Sequence, residues 1–243
     1  MKAHFSLIAL LSVSLGSGSA VAASAKAKRS AKVTTAVVRA PAEEPSSPVV
    51  PAPPNSHPME DLRKSHVKLQ KLLGKTSPSW SPESDAKSQE IRQLVNSFLD
   101  FQELATRALS KHWDALPPTK RGEFVTTLRE LVERNYIDQM SGGKASYKLT
   151  WGGEELEPTE AKVTATLNTT ARGKPIEMSL EYRMVHKQRG WVVYDVVTDE
   201  QSLLETYRSE FNKVIKKESF DALLEKLKQK LAEKREIAAA KTK

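Results

Sequence analysis

The stretch Ile176-Glu177-Met178-Ser179-Leu180-Glu181-Tyr182-Arg183-Met184 decides the fold, because its apolar and polar residues alternate without a break. A period of two puts every second side chain on one side of an extended chain, so this is a half-buried β-strand. Working backward, Val163, Ala165 and Leu167 alternate with Thr164 and Thr166, and Tyr147, Leu149 and Trp151 alternate with Lys148 and Thr150. Working forward, Gln188-Arg189-Gly190 makes a turn, and Trp191 to Val197 is apolar on both parities apart from Asp195, the pattern of a strand buried on both faces. Gly152-Gly153, Pro158 and Gly173 punctuate the intervals. The pattern predicts four antiparallel strands.

Outside this block the period is helical. Leu62, Leu69 and Leu73 make a narrow stripe over Met59–Leu73, ended by Gly74. Ser84 is a candidate N-cap for a helix whose face is Ile91, Leu94, Val95 and Phe98, and Asp100 for one carrying Phe101, Leu104, Ala105, Ala108 and Leu109. After Pro117-Pro118, a long helix presents Phe124, Leu128, Leu131 and Ile137 up to Ser141-Gly142-Gly143. After the strands, Ser202 caps a helix with Leu203, Leu204, Tyr207, Phe211 and Ile215, and a last helix carries Phe220, Leu223, Leu224, Leu227 and Leu231. Helices, then consecutive strands, then helices predict an α+β domain: an antiparallel sheet covered on one face, with helices before and after it.

The ends read differently. Lys2, the apolar run Phe5–Leu15 and the small-x-small pattern Ala20-Val21-Ala22 predict a signal peptide over residues 1–22, cleaved after Ala22, and hence export to the periplasm. Residues 23–58 contain neither Leu, Ile nor an aromatic residue, so they cannot bury enough surface to offset ordering, and they are expected to be a disordered, basic Pro/Ala-rich linker. The folded domain is expected over residues 59–232, with a basic tail at 233–243. Of the net charge of +8, most lies at the ends: residues 213–243 hold ten Lys or Arg against five Asp or Glu. A folded body without a basic, aromatic-laced patch argues against nucleic-acid binding. The basic C-terminal helix can instead approach anionic membrane or an acidic partner, or simply pack with its lysines solvated.

Catalytic signals are lacking. The chain has no cysteine, which removes disulfides, thiolate metal sites and a cysteine nucleophile. His57, His66, His112 and His186 show no metal-ligand spacing, Ser141-Gly142-Gly143-Lys144 precedes a strand rather than opening a helix, and Glu154, Glu155 and Glu157 fall in a polar loop. The reading is of a non-enzyme without a cofactor or metal.

Phe98-Leu99-Asp100-Phe101, Ala105, Arg107-Ala108-Leu109, Trp113 and Phe124, followed by Gly190-Trp191, Val193-Tyr194-Asp195-Val196, Ser202-Leu203, Tyr207-Arg208-Ser209 and Phe211, resemble in order and spacing the MlaC, or toluene-tolerance, family of periplasmic phospholipid carriers. The resemblance covers about residues 60–232 and departs in the long linker, the basic tail and Ser110-Lys111-His112. It implies a carrier whose cavity between sheet and helices holds a phospholipid's acyl chains. It also implies two partners: an inner-membrane ABC transporter complex and an outer-membrane lipoprotein complex. Each buried CH₂ contributes about 0.8 kcal/mol, so a whole chain does not enter water unaided. The candidate wall is Phe101, Leu104, Leu128 and Leu131 from helices with Tyr147, Leu149, Met178, Leu180, Tyr182 and Val193 from strands; each of these otherwise fills a solid core. Tyr207 and Arg208 are candidates to border the headgroup, and Asp195, costly if buried alone, is expected to pair with Arg208. Another apolar lipid such as a hopanoid, or an interaction module, remains an alternative.

Overall fold

The computed structural model describes residues 47–53, 55–73, 86–140, 147–171 and 174–241. The signal peptide, most of the linker, the caps expected at Ser84 and Gly74, and the Ser141-Gly142-Gly143 and Gly173 breaks lie outside these residues.

Strands β1 (Lys148–Leu156), β2 (Glu160–Ala171), β3 (Lys174–Lys187), β4 (Gly190–Thr198) and β5 (Gln201–Ser202) form one antiparallel meander in sequence order. The fold is α+β as expected, with five strands rather than four. The fifth is two residues long, too short to show a period, and it is reached through a tight turn in which Asp199 (φ 45°) and Glu200 (φ 67°) both take left-handed backbone. Such turns match the twist of paired strands but usually advertise themselves with Asn or Gly, which this one lacks. The β3–β4 turn does use glycine: Gly190 sits at φ 103°, where a side chain would be strained.

Among the described residues six helices flank the sheet: α1 (Pro58–Leu73), α2 (Ala86–Phe98), α3 (Phe101–Leu109), α4 (Pro118–Met140), α5 (Leu203–Lys217) and α6 (Phe220–Lys241), with one 3₁₀ turn at Ser110–His112. Two caps fall where the sequence put them. The Asp100 carboxylate accepts the Glu103 N–H at 2.9 Å at the start of α3, and the Ser202 hydroxyl accepts that of Glu205 at 3.0 Å at the start of α5. The five apolar residues assigned to α3 are its buried residues.

The sheet separates two apolar clusters. On one side Val185, Val192 and Tyr194 pack against the stripes of α2 to α6, including Phe124, Leu128, Leu131, Tyr207 and Phe211. On the other, Ala161, Val163, Met184, Trp191 and Val193 pack with Leu62 of α1, flanked by Phe98 and Leu99 at the end of α2. β4 and the end of β3 are therefore covered on both faces, as the double parity of β4 announced. Over β1, β2 and the first part of β3 one face alone is covered, as expected: Lys162, Thr164, Glu177 and Ser179 on the other face are exposed.

Two bulges break the period of two. On β4 the register slips between Arg183 and Met184 of its partner, so Val193 and Val196, three apart, share one face, and Tyr194 and Asp195 both turn to the helices. Asp195, 1% exposed, there accepts the Leu204 N–H (2.9 Å) and the Ser202 hydroxyl (2.6 Å) and pairs with Arg183 at 3.4 Å. Asp195 does not pair with Arg208, whose guanidinium bonds Glu205 and the Arg107 carbonyl. Arg183 lies directly across the ladder, a nearer partner than a residue on the second turn of the next helix.

The end of the linker is also placed. The Val50 N–H donates to the His186 carbonyl (3.0 Å), the Ala52 N–H to that of Pro158 (2.7 Å), and Val49 forms an antiparallel bridge to Lys187. Disorder was expected as far as Pro58 because the segment has no apolar core residues, but backbone pairing needs none.

Candidate functional site

The meander register sets side chains in rows across the face beneath α1. Leu149, Leu167 and Met178 are neighbours; beside them run Trp151, Ala165, Leu180 and Thr198, then Val163, Tyr182 and Val196. Met178, Leu180 and Ala165 are buried, yet among the described residues they belong to neither packed cluster. They form an apolar floor beside the packed cluster around Val163 and Val193.

Aromatic rings edge this floor. His66 on α1 meets Tyr147 at 5.5 Å and Trp151 at 6.1 Å, both edge-on, and Trp151 leans over Tyr182 at 6.2 Å. Burial pushes the His66 pKa down to about 4 from 6.5, so its ring is neutral at pH 7 and behaves as part of an apolar wall. Burial, aided by neighbouring Tyr147, pushes the Tyr182 hydroxyl well above its usual value, so it too stays uncharged. Thr198, fully buried, has no hydrogen-bond partner for its hydroxyl among the described residues.

A glycine pair positions the helix above the floor. Gly152 and Gly153 together oppose Thr164, whose hydroxyl accepts the Gly153 N–H at 2.9 Å. A Cβ at Gly152 would come within 2.5 Å of that oxygen, so glycine is required by contact. The extra residue returns Glu154 to the same face as Trp151. There its carboxylate accepts the Met59 N–H (2.9 Å) and lies 3.6 Å from the His57 ring, fixing the first turn of α1 over the sheet.

The residues anticipated from the sequence divide between the two faces. Tyr147, Leu149, Met178, Leu180, Tyr182 and Val193 fall on the α1 side. Phe101, Leu104, Leu128 and Leu131 fall in the helical cluster on the other side of the sheet. Tyr207 is fully buried and stacked on Phe211 at 5.2 Å in that same cluster, and Arg208 neighbours it on α5. The structure thus does not bring the helical and strand parts of the anticipated wall together, because helical periodicity shows that a face is buried but not against which side of a sheet. The residues that join the strand group are His66, Trp151, Ala165 and Thr198. Trp151 was visible as an inward strand position; His66 shares the apolar arc of Leu62 and Leu69.

A second constellation lies at the far end of β3. Lys187, 1% exposed, holds its ammonium 3.1 Å from Asp100 and 2.9 Å from Glu103. Arg189 also reaches Asp100 (3.1 Å), while Arg107 joins Glu103 (2.8 Å) to Glu160 (2.9 Å) and stacks 3.9 Å over the Tyr194 ring. Burial disfavours the Asp100 anion, but the Glu103 N–H, Lys187 and Arg189 outweigh it and hold the carboxyl below its usual range. Every charge here has an opposite partner, so the network clasps α3 to the β3–β4 hairpin. Among the described residues no group of His, Asp or Glu is arranged to hold a metal ion, and no helix is long and apolar enough to cross a membrane.

The antiparallel meander thus packs β4 and the end of β3 against helices on one face, and on the other carries an apolar floor edged by uncharged aromatic rings beneath α1. The chain belongs to the MlaC protein family, which matches residues 66–229. Among solved structures it resembles the phospholipid-binding protein from Ralstonia solanacearum in complex with a phospholipid. That likeness has a TM-score of 0.59 and 20% identity, and it covers 74% of this chain and 99% of that one, which establishes a shared fold. No curated protein matches the sequence.

Proposed function

We propose that this protein is a periplasmic phospholipid carrier that shields acyl chains non-covalently on the floor beneath α1. It receives and delivers its lipid between an inner-membrane ABC transporter complex and an outer-membrane lipoprotein complex. The observation that carries the reading is the buried Ala165, Met178 and Leu180 outside both packed clusters, in a chain of the MlaC family whose fold is shared by a lipid-bound structure. Hydrocarbon against such a surface gains about 25 cal/mol per Å² removed from water. No bond is made or broken, consistent with a site built of uncharged groups.

The test is mass spectrometry of organic extracts from the mature protein, purified without detergent from a periplasmic fraction. Near-stoichiometric phospholipid is expected. A hopanoid or other apolar lipid would keep the cradle and change its cargo, and a protein that is empty and takes up no lipid from vesicles would sink the reading.

A further inference from the structure

The outer flank of α1 carries a feature the cradle does not use. Arg63, Val67 and Lys71 recur every four residues, so they form one stripe, with Lys64 and Lys68 beside it. All five are exposed, Val67 by 45%, and they line an open groove of about 740 Å³ that begins at Met59. The Arg63 guanidinium lies 5.9 Å from the Trp151 ring centre, so the groove adjoins the aromatic edge of the floor.

Glu60 and Glu154, at the Met59 end of the groove, compensate part of the charge on this flank. Lys64 meets Glu60 at 2.7 Å, but Lys68 and Lys71 have no ion-pair partner among the described residues. The more basic C-terminal helix is different: Lys226 pairs with Glu218, Lys228 with Glu123 and Glu225, and Arg235 with Glu130. Lysines without an ion-pair partner among the described residues, such as Lys216 and Lys217, also stand on α5, but those on α1 are the ones that flank an exposed apolar side chain beside the floor.

We propose that this flank of α1 docks the protein on an anionic phospholipid surface, with Arg63, Lys64, Lys68 and Lys71 facing headgroup phosphates and Val67 at the centre of the contact. The complementarity is of charge, and docking there brings the aromatic edge of the floor toward the lipid. The docking face serves the proposed carrier and rests on that reading.

The experiment is co-sedimentation of the full mature chain with phosphatidylcholine vesicles, with and without phosphatidylglycerol, across a salt series. Wild type is expected to bind the anionic vesicles and to lose binding with salt. Each Lys or Arg near such a surface contributes appreciably, so Lys68→Glu/Lys71→Glu is expected to weaken binding at least about tenfold, and the milder Lys68→Gln/Lys71→Gln by less. The charge-matched Lys216→Glu/Lys217→Glu, at the end of α5, is expected to change it less than about twofold. Equal losses in both Glu variants, or none in either, overturn the proposal. So does wild-type protein that ignores the vesicles while an acidic protein partner is lost on the same α1 substitutions. Bound lipid measured on the same samples separates the two readings: vesicle binding by a protein that never holds lipid sinks the carrier and leaves the docking face, and a loaded protein that ignores vesicles does the reverse.

Discussion

The two faces of the sheet use the same strands for opposite ends. On the helical face, Phe124 packs edge-on against Phe211 at 5.5 Å, Tyr207 stacks on Phe211, and a closed charge network ties α3 to β3 and β4. On the α1 face the floor residues are buried without joining either packed cluster, and the polar groups near them are kept uncharged. The helical side is a scaffold of packed rings and paired charges; the α1 side sets, beside a packed cluster around Leu62, Val163 and Val193, buried floor residues that join no cluster. A domain that must be rigid and also receive cargo can divide these demands across one sheet.

Several substitutions can break or sharpen this contrast. Phe124→Ala, in the sealed core, is expected to cost about 3–5 kcal/mol in denaturant unfolding. Leu180→Ala, although equally apolar and 5% exposed, is expected to cost less than half of that and to lower bound lipid. Equal losses would mean that the faces are equally solid. Removing the ammonium of Lys187 by Lys187→Met leaves Asp100 and Glu103 facing each other, at an expected cost of about 3–5 kcal/mol; a loss below 1 would show the clasp to be ornamental.

The α1 face has a pH signature of its own. His66 titrates at about 4 when folded and near 6.5 when unfolded, so between those values the unfolded chain binds the extra proton. The stability this group contributes is complete above pH 6.5 and is lost as pH falls toward 4, by up to about 3 kcal/mol. His66→Gln is expected to flatten that part of the profile, and an unchanged slope would place His66 in water. Asp195→Asn keeps the shape but weakens the charge-assisted bonds to Ser202, Leu204 and Arg183. An expected loss of about 2 kcal/mol in thermal unfolding accompanies unaltered lipid content. Lost lipid with unchanged stability would move Asp195 from scaffold to site.

How much of this was legible in the sequence depends on whether the information was local. The period of two over Ile176–Met184 and the caps at Asp100 and Ser202 are local, and the structure reproduces them. The bulge at Tyr194 is not, since its only trace is a change of parity in a strand apolar on both sides. The division of the anticipated site residues has the same origin: Leu128 and Leu180 look alike as buried leucines, and only topology puts them on opposite faces. Lys187 ends a strand where a lysine ordinarily reaches solvent, and it is buried because Asp100 and Glu103, some eighty residues earlier, come to meet it. The strap at Val49–Ala52 works through backbone groups that every sequence possesses.

That strap also sets where mechanical load enters the domain. Lys187 is bridged through its backbone to Val49 and held through its side chain by two carboxylates of α3. A pull on the chain ahead of Ser47 is therefore passed into the rigid side of the molecule, through the end of β3, before it reaches the first turn of α1. The amino-terminal chain can be tugged without prying the helix from the floor it covers.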